Sequence, residues 1–313
     1  MSVPATRFAY LGPDATCTEQ ALRTLPEAEA GVRIPARSVP EALDAVRAGE
    51  VDAALVPVEN SIGGQVGVSL DEMISGSPLM ITREVVLPVQ FVLVGRAALD
   101  LGTIAQVAAH PQSSTQCRGW LRANLPGAAV VDVLSNGAAA AGVADGRYPA
   151  AICAPIGAVR YQLTVLARDI ADHPEAMTRF ALVRRPMRPP EPTGDDVTTL
   201  AVSISHDRVG ALLAVLTELA VRGVNLTRIE SRPTGEQLGR YTFFLDCDGH
   251  VAEARLGEAL GGLRRVCADV WFLGSYPRAG ADHGERVAPA RGLADADFAE
   301  AARWVTALRA GPT

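Results

Sequence analysis

A chain of 313 residues, 48% hydrophobic and 20% charged, carries enough apolar content for two domains or slightly more, which excludes a disordered polymer. The formal charge of −6, with Lys and Arg dispersed, excludes a phosphate-tracking surface, so no nucleic-acid partner is expected. No apolar run of about 18 residues spans a bilayer, and the opening MSVPATRFAYLG lacks an export signal, so the expected location is cytoplasmic, with no membrane partner.

From the amino end, short apolar runs alternate with helical patterns: RFAYLG then TEQALRTL, VRIPAR then VPEALDAVRAG, DAALVPV then VSLDEMISG. This rhythm predicts an α/β fold with largely parallel strands. In the second helix, Ser38 and Glu41 have capping-box spacing, Leu43 and Val46 form an apolar face, and Gly49 closes the end. Residues 79–95, LMITREVVLPVQFVLVG, read as a long β-rich run broken at Pro88, as expected where a chain crosses from one lobe to another. The rhythm then resumes with IAQVAAH, a helix predicted from about Gln112 to Leu125, AAVVDVL, NGAAAAGVADG, PAAICA and TRFALVRR. Residues 1–186 are therefore expected to form two α/β lobes with a ligand crevice at the strand ends.

The proline-rich stretch at 187–196 predicts a linker. Residues 197–276 have the order strand, helix, strand, strand, helix, strand, the βαββαβ arrangement of a ferredoxin-like sandwich. Residues 277–313 are expected to be a partly disordered tail with one amphipathic segment, DADFAEAARWVTALRAG, in which Trp304 and Leu308 share a face.

Cys17, Cys117, Cys153, Cys247 and Cys267 are odd in number and lack a C-x-x-C pair, so they are expected to be free thiols, mostly buried. His110, His173, His206, His250 and His283 are scattered without ligand spacing, and no metal or other cofactor is expected. Chemistry then falls to hydroxyls, amides, Arg and backbone N–H groups. LGPDATCTEQA (11–21) sets Thr16 before a helix, either as a plain N-cap or as part of an anion site. PVENSIGGQVG (57–67) follows a strand with Asn60 and Ser61, and is either a turn or a ligand loop. HPQSSTQCRGWL (110–121) puts Ser113, Ser114 and Gln116 at a helix start, again as caps or ligands. Thr178 and Arg179 precede the buried-looking Phe180–Val183, and an Arg there needs an anionic partner, whether ligand or structural carboxylate.

In this order and spacing, LGPDAT, PVENSIGG, HPQSSTQC and TRF, followed by GALL and ESRP, resemble the prephenate dehydratase family over residues 6 to 276. The resemblance implies a bilobal catalytic domain like the type II periplasmic-binding-protein fold joined to an ACT regulatory domain. It also implies cofactor-free conversion of prephenate to phenylpyruvate, water and carbon dioxide. In that reading Arg179 grips a substrate carboxylate, Thr178 protonates the departing hydroxyl, and Phe180 completes the catalytic motif. Thr16, Asn60, Ser61 and Gln116 hold the other carboxylate and the keto oxygen. GALL and the following NLTRIESRP resemble a phenylalanine-binding ACT signature, which implies an effector site at Gly210, Ala211, Leu212, Leu213, Asn225, Leu226, Glu230 and Ser231. A homodimer or homotetramer is implied with it. Ala15, Cys17, Ala109 and Ala176 depart from the family pattern. The same residues leave open an arogenate dehydratase, acting on the transaminated substrate, and a non-catalytic amino-acid sensor.

Overall fold

The computed structural model describes residues 5–204, 209–234, 240–280 and 291–311. The chain divides into two compact units, Met1–Glu72 with Val85–Arg185, and Met73–Glu84 with Pro186–Thr313.

The first unit begins with β1 (Arg7–Leu11), α1 (Cys17–Leu22), α2 (Pro26–Glu29), β2 (Val32–Ala36), α3 (Val39–Arg47), β3 (Ala53–Asn60), the short β4 (Gly64–Gln65) and α4 (Gly67–Ile74). The strand β5 (Met80–Pro88) enters this unit at Val85. β6 (Val92–Gly95), β7 (Gln106–Ala109), α5 (Pro111–Gln116), α6 (Arg118–Asn124), β8 (Ala129–Asp132), α7 (Asn136–Ala144), β9 (Ala150–Cys153), α8 (Pro155–Arg160), β10 (Thr164–Ala167) and β11 (Met177–Arg184) complete it.

These strands make two sheets of one design. The first runs β2-β1-β3-β11-β5, the second β8-β7-β9-β6-β10. Each has three parallel strands, β2-β1-β3 and β8-β7-β9, followed by an antiparallel strand that arrives from the other lobe, β11 in the first and β6 in the second. This is the bilobal α/β architecture expected, with the crossing expected at residues 79–95 and a second, at β11, that was not expected. The sheets are mixed, however, where largely parallel strands were expected: a crossing strand must run back against its neighbours. Alternating runs cannot reveal that reversal, since a buried strand reads alike in either direction.

Phe8, Tyr10, Leu22, Leu55, Phe180 and Leu182 fill the core beneath the first sheet. Leu93, Val107, Ile152 and Ile170 fill one face of the second, with Val94, Ala140, Val143 and Cys153 on the other. Each large apolar side chain here contributes about 1.5–3 kcal/mol by burial. Helix α3 starts as its spacing predicts, with the Ser38 hydroxyl accepting the Glu41 N–H at 3.3 Å. The single helix expected from Gln112 to Leu125 is instead two, broken at Cys117, whose φ of −114° and ψ of 14° leave helical geometry. The second of them starts on a carboxylate from far along the chain, because Asp172 accepts the N–H groups of Gly119 and Trp120 at 2.8 and 3.1 Å. All five cysteines are free.

The second unit contains β12 (Asp196–Ser203), α9 (Ala211–Ala220), β13 (Leu226–Pro233), β14 (Tyr241–Asp248), α10 (Ala254–Val266), β15 (Asp269–Pro277) and α11 (Asp295–Ala310). Its antiparallel sheet runs β13-β14-β12-β15, the ferredoxin-like order. Leu200, Val215, Leu219, Leu245, Leu256 and Leu263 join the sheet to α9 and α10. The strand residues 80–84 lie on this unit. A Cβ at Gly274, where φ is +135°, would stand 2.1 Å from the Ile81 carbonyl oxygen. A buried carboxylate, Asp246, accepts two hydrogen bonds from Arg228 at 2.7 and 3.1 Å and one from Thr199 at 2.8 Å. Within the expected tail, α11 is formed and exposes Trp304 and Leu308. The expectation of partial disorder falls in part on 281–290 and 312–313, outside the described residues.

Candidate active site

Within the first unit, a cavity of about 930 Å³ is lined from both sheets. Leu11, Asn60, Thr178 and Phe180 come from the ends of β1, β3 and β11, while Phe91, His110, Gln112 and Asn136 come from the second lobe. Three helix caps reach it. Thr16, His110 and Ser135 are the N-cap residues of α1, α5 and α7, and each accepts a backbone N–H from its own first turn. N–H groups at helix starts lack intrahelical acceptors and present positive charge.

The centre of the site is a side-chain hydrogen bond across 118 residues of chain. Asn60 Nδ2 donates to Thr178 Oγ1 at 2.9 Å. The orientation of that amide is forced, because Asn60 Oδ1 accepts the N–H groups of Ile62 and Gly63 at 3.0 and 2.7 Å. Turning the amide over would set an NH2 against two N–H donors. Thr178 Oγ1 is thereby occupied as an acceptor, leaving its own proton to donate into the cavity. Strand register builds the pair: Thr178 lies opposite Asn60, and the shift between Arg179 and Phe180 leaves Val58 unpaired, so that Pro57 and Phe180 are aligned.

Arg179 lies elsewhere. Thr178 and Phe180 line the cavity and Arg179 does not. Its guanidinium meets Glu59, directly opposite on β3, with Nη2 3.2 Å from Oε2. Successive residues of a strand face opposite sides, so Arg179 points away from the face that Thr178 and Phe180 share. A structural carboxylate, Glu59, therefore partners Arg179 in this structure, the second of the two kinds of anion expected for it.

At two further expected ligand positions, Thr16 and Ser61, the hydroxyls have partners within the protein. Thr16 gives its hydroxyl proton to the Leu11 carbonyl at 3.0 Å and accepts from Glu19, so the cap reading holds and no proton remains for an anion. Ser61 clamps β11, accepting the Met177 N–H at 2.9 Å, and does not line the cavity. Gln116 is buried and lines the cavity, at the carboxyl end of α5 instead of its start. Ser113 donates to Asn136 Oδ1 at 2.7 Å, and Ser114 turns to its own helix. Ala15 takes the left-handed φ of +66°, and its N–H donates to Glu19 at 2.6 Å. Cys17 lines the cavity, and burial pushes its thiol up to about 11, so it carries no thiolate at neutral pH.

Residues 8–188 match the family model described as prephenate dehydratase, more than half of the chain, and 198–260 match that of the ACT domain. The chain is 48% identical over 307 residues to a prephenate dehydratase of Amycolatopsis methanolica, covering 98% of this chain and 99% of that one.

This chain belongs to the prephenate dehydratase family.

The crystal structure of prephenate dehydratase from Arthrobacter aurescens in complex with L-Phe superposes with a TM-score of 0.91 at 46% identity, covering 98% of this chain and 100% of that one. A protein described as a novel type of quorum-quenching acylase shares 27% identity at a TM-score of 0.78, covering 87% of this chain and 98% of that one. In this member of the prephenate dehydratase family, the residues expected at the effector site surround α9 and the edge strand β13. Gly210 caps α9 with φ +81°, and Ala211, Leu212 and Leu213 form its first turn. Asn225 donates to Asp248 at 2.7 Å, Leu226 opens β13, and Glu230 and Ser231 follow along it. Residues 205–208, just before α9, lie outside the described residues.

Sequence reasoning missed Asn136, Gln112, Tyr161 and the pair Asp14–Arg160. Ser135 before Asn136 is a cap signal that marks the helix start, whereas no local pattern marks Arg160, which meets Asp14 across 146 residues.

Proposed function

We propose that this protein converts prephenate to phenylpyruvate, carbon dioxide and water, without a cofactor, and that phenylalanine inhibits it by feedback. The observation that carries the reading is the Asn60–Thr178 pair, a hydroxyl whose proton is left free to donate into the cavity. Prephenate loses its ring carboxylate as carbon dioxide while the C–O bond of the ring hydroxyl breaks, and the electron pair released completes the aromatic ring. The departing oxygen needs one proton. Thr178 donates it, and the Asn60 N–H stabilises the charge left on Oγ1 until solvent water returns a proton to it. Phe180 packs against the ring. Helix-start N–H groups of α1 and α7, with the side-chain donors Gln112 and Gln116, take the remaining carboxylate and the keto oxygen. Arg179 acts as a positioning residue through Glu59.

Acyl transfer fits these residues poorly. A hydroxyl nucleophile needs a base in contact, and the partner of Thr178 is an amide donor. A sensor without catalysis has less use for a hydroxyl held in this way.

The ACT match and the L-Phe complex of the Arthrobacter relative support phenylalanine as effector. The site extends from Gly210 to Leu213 on α9 and includes Asn225, Leu226, Glu230 and Ser231. It acts in a cytoplasmic homodimer or homotetramer. The test is phenylpyruvate formation from prephenate by purified protein across a phenylalanine titration. Product that falls as phenylalanine rises supports both assignments. A folded oligomer that binds phenylalanine and makes no product removes the catalytic one.

A further inference from the structure

Among the described residues, Asp14 is the carboxylate that lines the cavity, and both of its oxygens are occupied. Oδ1 accepts the Tyr10 hydroxyl at 2.5 Å, and Oδ2 accepts Arg160 Nη2 at 2.5 Å. The two partners come from different lobes, Tyr10 from β1 and Arg160 from the end of α8. The loop cannot easily swing aside, because Gly137 of α7 lies against it: a Cβ there would stand 2.3 Å from the Asp14 carbonyl oxygen. The pair itself contributes little to stability, since the side chains of Arg160 and Asp14 are 49% and 33% exposed. Its consequence is electrostatic. Among the described residues, the cavity lining presents no uncompensated negative charge.

We infer that the Asp14–Arg160 pair sets the preference of this site for an α-keto substrate over its α-amino counterpart. The inference rests on the dehydratase reading above. Prephenate and arogenate carry the same two carboxylates and the same ring, and differ where one has a neutral carbonyl and the other an ammonium. An ammonium withdrawn from bulk water favours a carboxylate partner, and the one carboxylate among the described lining residues is held by a tyrosine and an arginine. A keto group needs donors only, and amides of Gln112 and Gln116 line the wall. Removing the arginine would leave Asp14 with a neutral hydroxyl, that of Tyr10, and an uncompensated charge, which repels the carboxylates both substrates share and attracts the ammonium that arogenate alone carries.

The experiment compares kcat/KM on prephenate and on arogenate for the full-length protein and for Arg160→Gln, Arg160→Lys and the double variant Arg160→Gln with Asp14→Asn. Arg160→Gln is expected to raise the arogenate-to-prephenate ratio at least tenfold. Arg160→Lys, which keeps the charge, is expected to hold it within about threefold, and the double variant to bring it back toward the starting value. An unchanged ratio in a folded Arg160→Gln protein overturns the inference. So does an unmodified protein that uses both substrates equally, which leaves the dehydratase reading intact. Inactivity on both substrates overturns that reading and the inference with it.

Discussion

Replacing Asn60 by Asp separates the orientation of Thr178 from the construction of its loop. The carboxylate is nearly isosteric and still accepts the N–H groups of Ile62 and Gly63, so the turn after β3 is kept. Those two bonds favour the ionised form despite burial. What changes is the bond to Thr178, now 2.9 Å long with the amide as donor. A carboxylate cannot donate, so the Thr178 hydroxyl turns its proton toward it and away from substrate. A positioned proton donor contributes about 10²–10⁴-fold, or about 3–5 kcal/mol of barrier. Asn60→Asp is therefore expected to lower kcat by about a hundredfold or more at pH 8, with thermal stability nearly kept. Activity should recover as pH falls through the pKa of the new carboxyl, because the protonated acid can donate again. Steady-state phenylpyruvate formation between pH 5 and 9 measures both. The reasoning fails if kcat at pH 8 stays within about threefold of the unmodified protein. Asn60→Ala gives the complementary result, since it leaves two N–H groups without acceptors and should also cost about 1–3 kcal/mol in urea unfolding.

Thr178→Val, which keeps shape without the hydroxyl, should reduce kcat as far as Asn60→Asp does, and the two together should be far from additive, as a kinetic double-mutant cycle would reveal. Arg179→Lys should leave the KM for prephenate within about threefold, because its partner is Glu59; a hundredfold rise in KM would restore Arg179 to the substrate. Arg228→Ala removes two of the hydrogen bonds that the buried carboxylate of Asp246 accepts and should cost about 3–5 kcal/mol in chemical denaturation, with a smaller loss for Arg255→Ala at a more exposed site. Alkylation of Cys17 by iodoacetamide should be slow at pH 7 and accelerate as pH rises toward about 11, because only the thiolate reacts; rapid labelling of that peptide at neutral pH, followed by mass spectrometry, would contradict the burial of the thiol.

Periodicity and punctuation carried much of the architecture. The βαββαβ order of 197–276, the cap of α3 and the lobe-forming alternation are local signals, because strand and helix periods and caps depend on near neighbours. The family motifs also led to Asn60, Thr178, Phe180 and Gln116, all of which line the cavity. The different surroundings of Thr178 and Arg179 were also legible: they are adjacent on a strand, where successive side chains point to opposite faces.

Tertiary structure alone decided the rest. The direction of the crossing strands, the bond from Asn60 to Thr178, the pairing of Arg179 with Glu59 and the meeting of Asp14 with Arg160 join residues that no local pattern relates. The amino-acid sequence by itself determined which residue types were available and which segments were strands or helices. Which hydroxyl keeps a free proton, and which charge is already matched, depends on the partner that folding brings to each group, and those partners lie more than a hundred residues away.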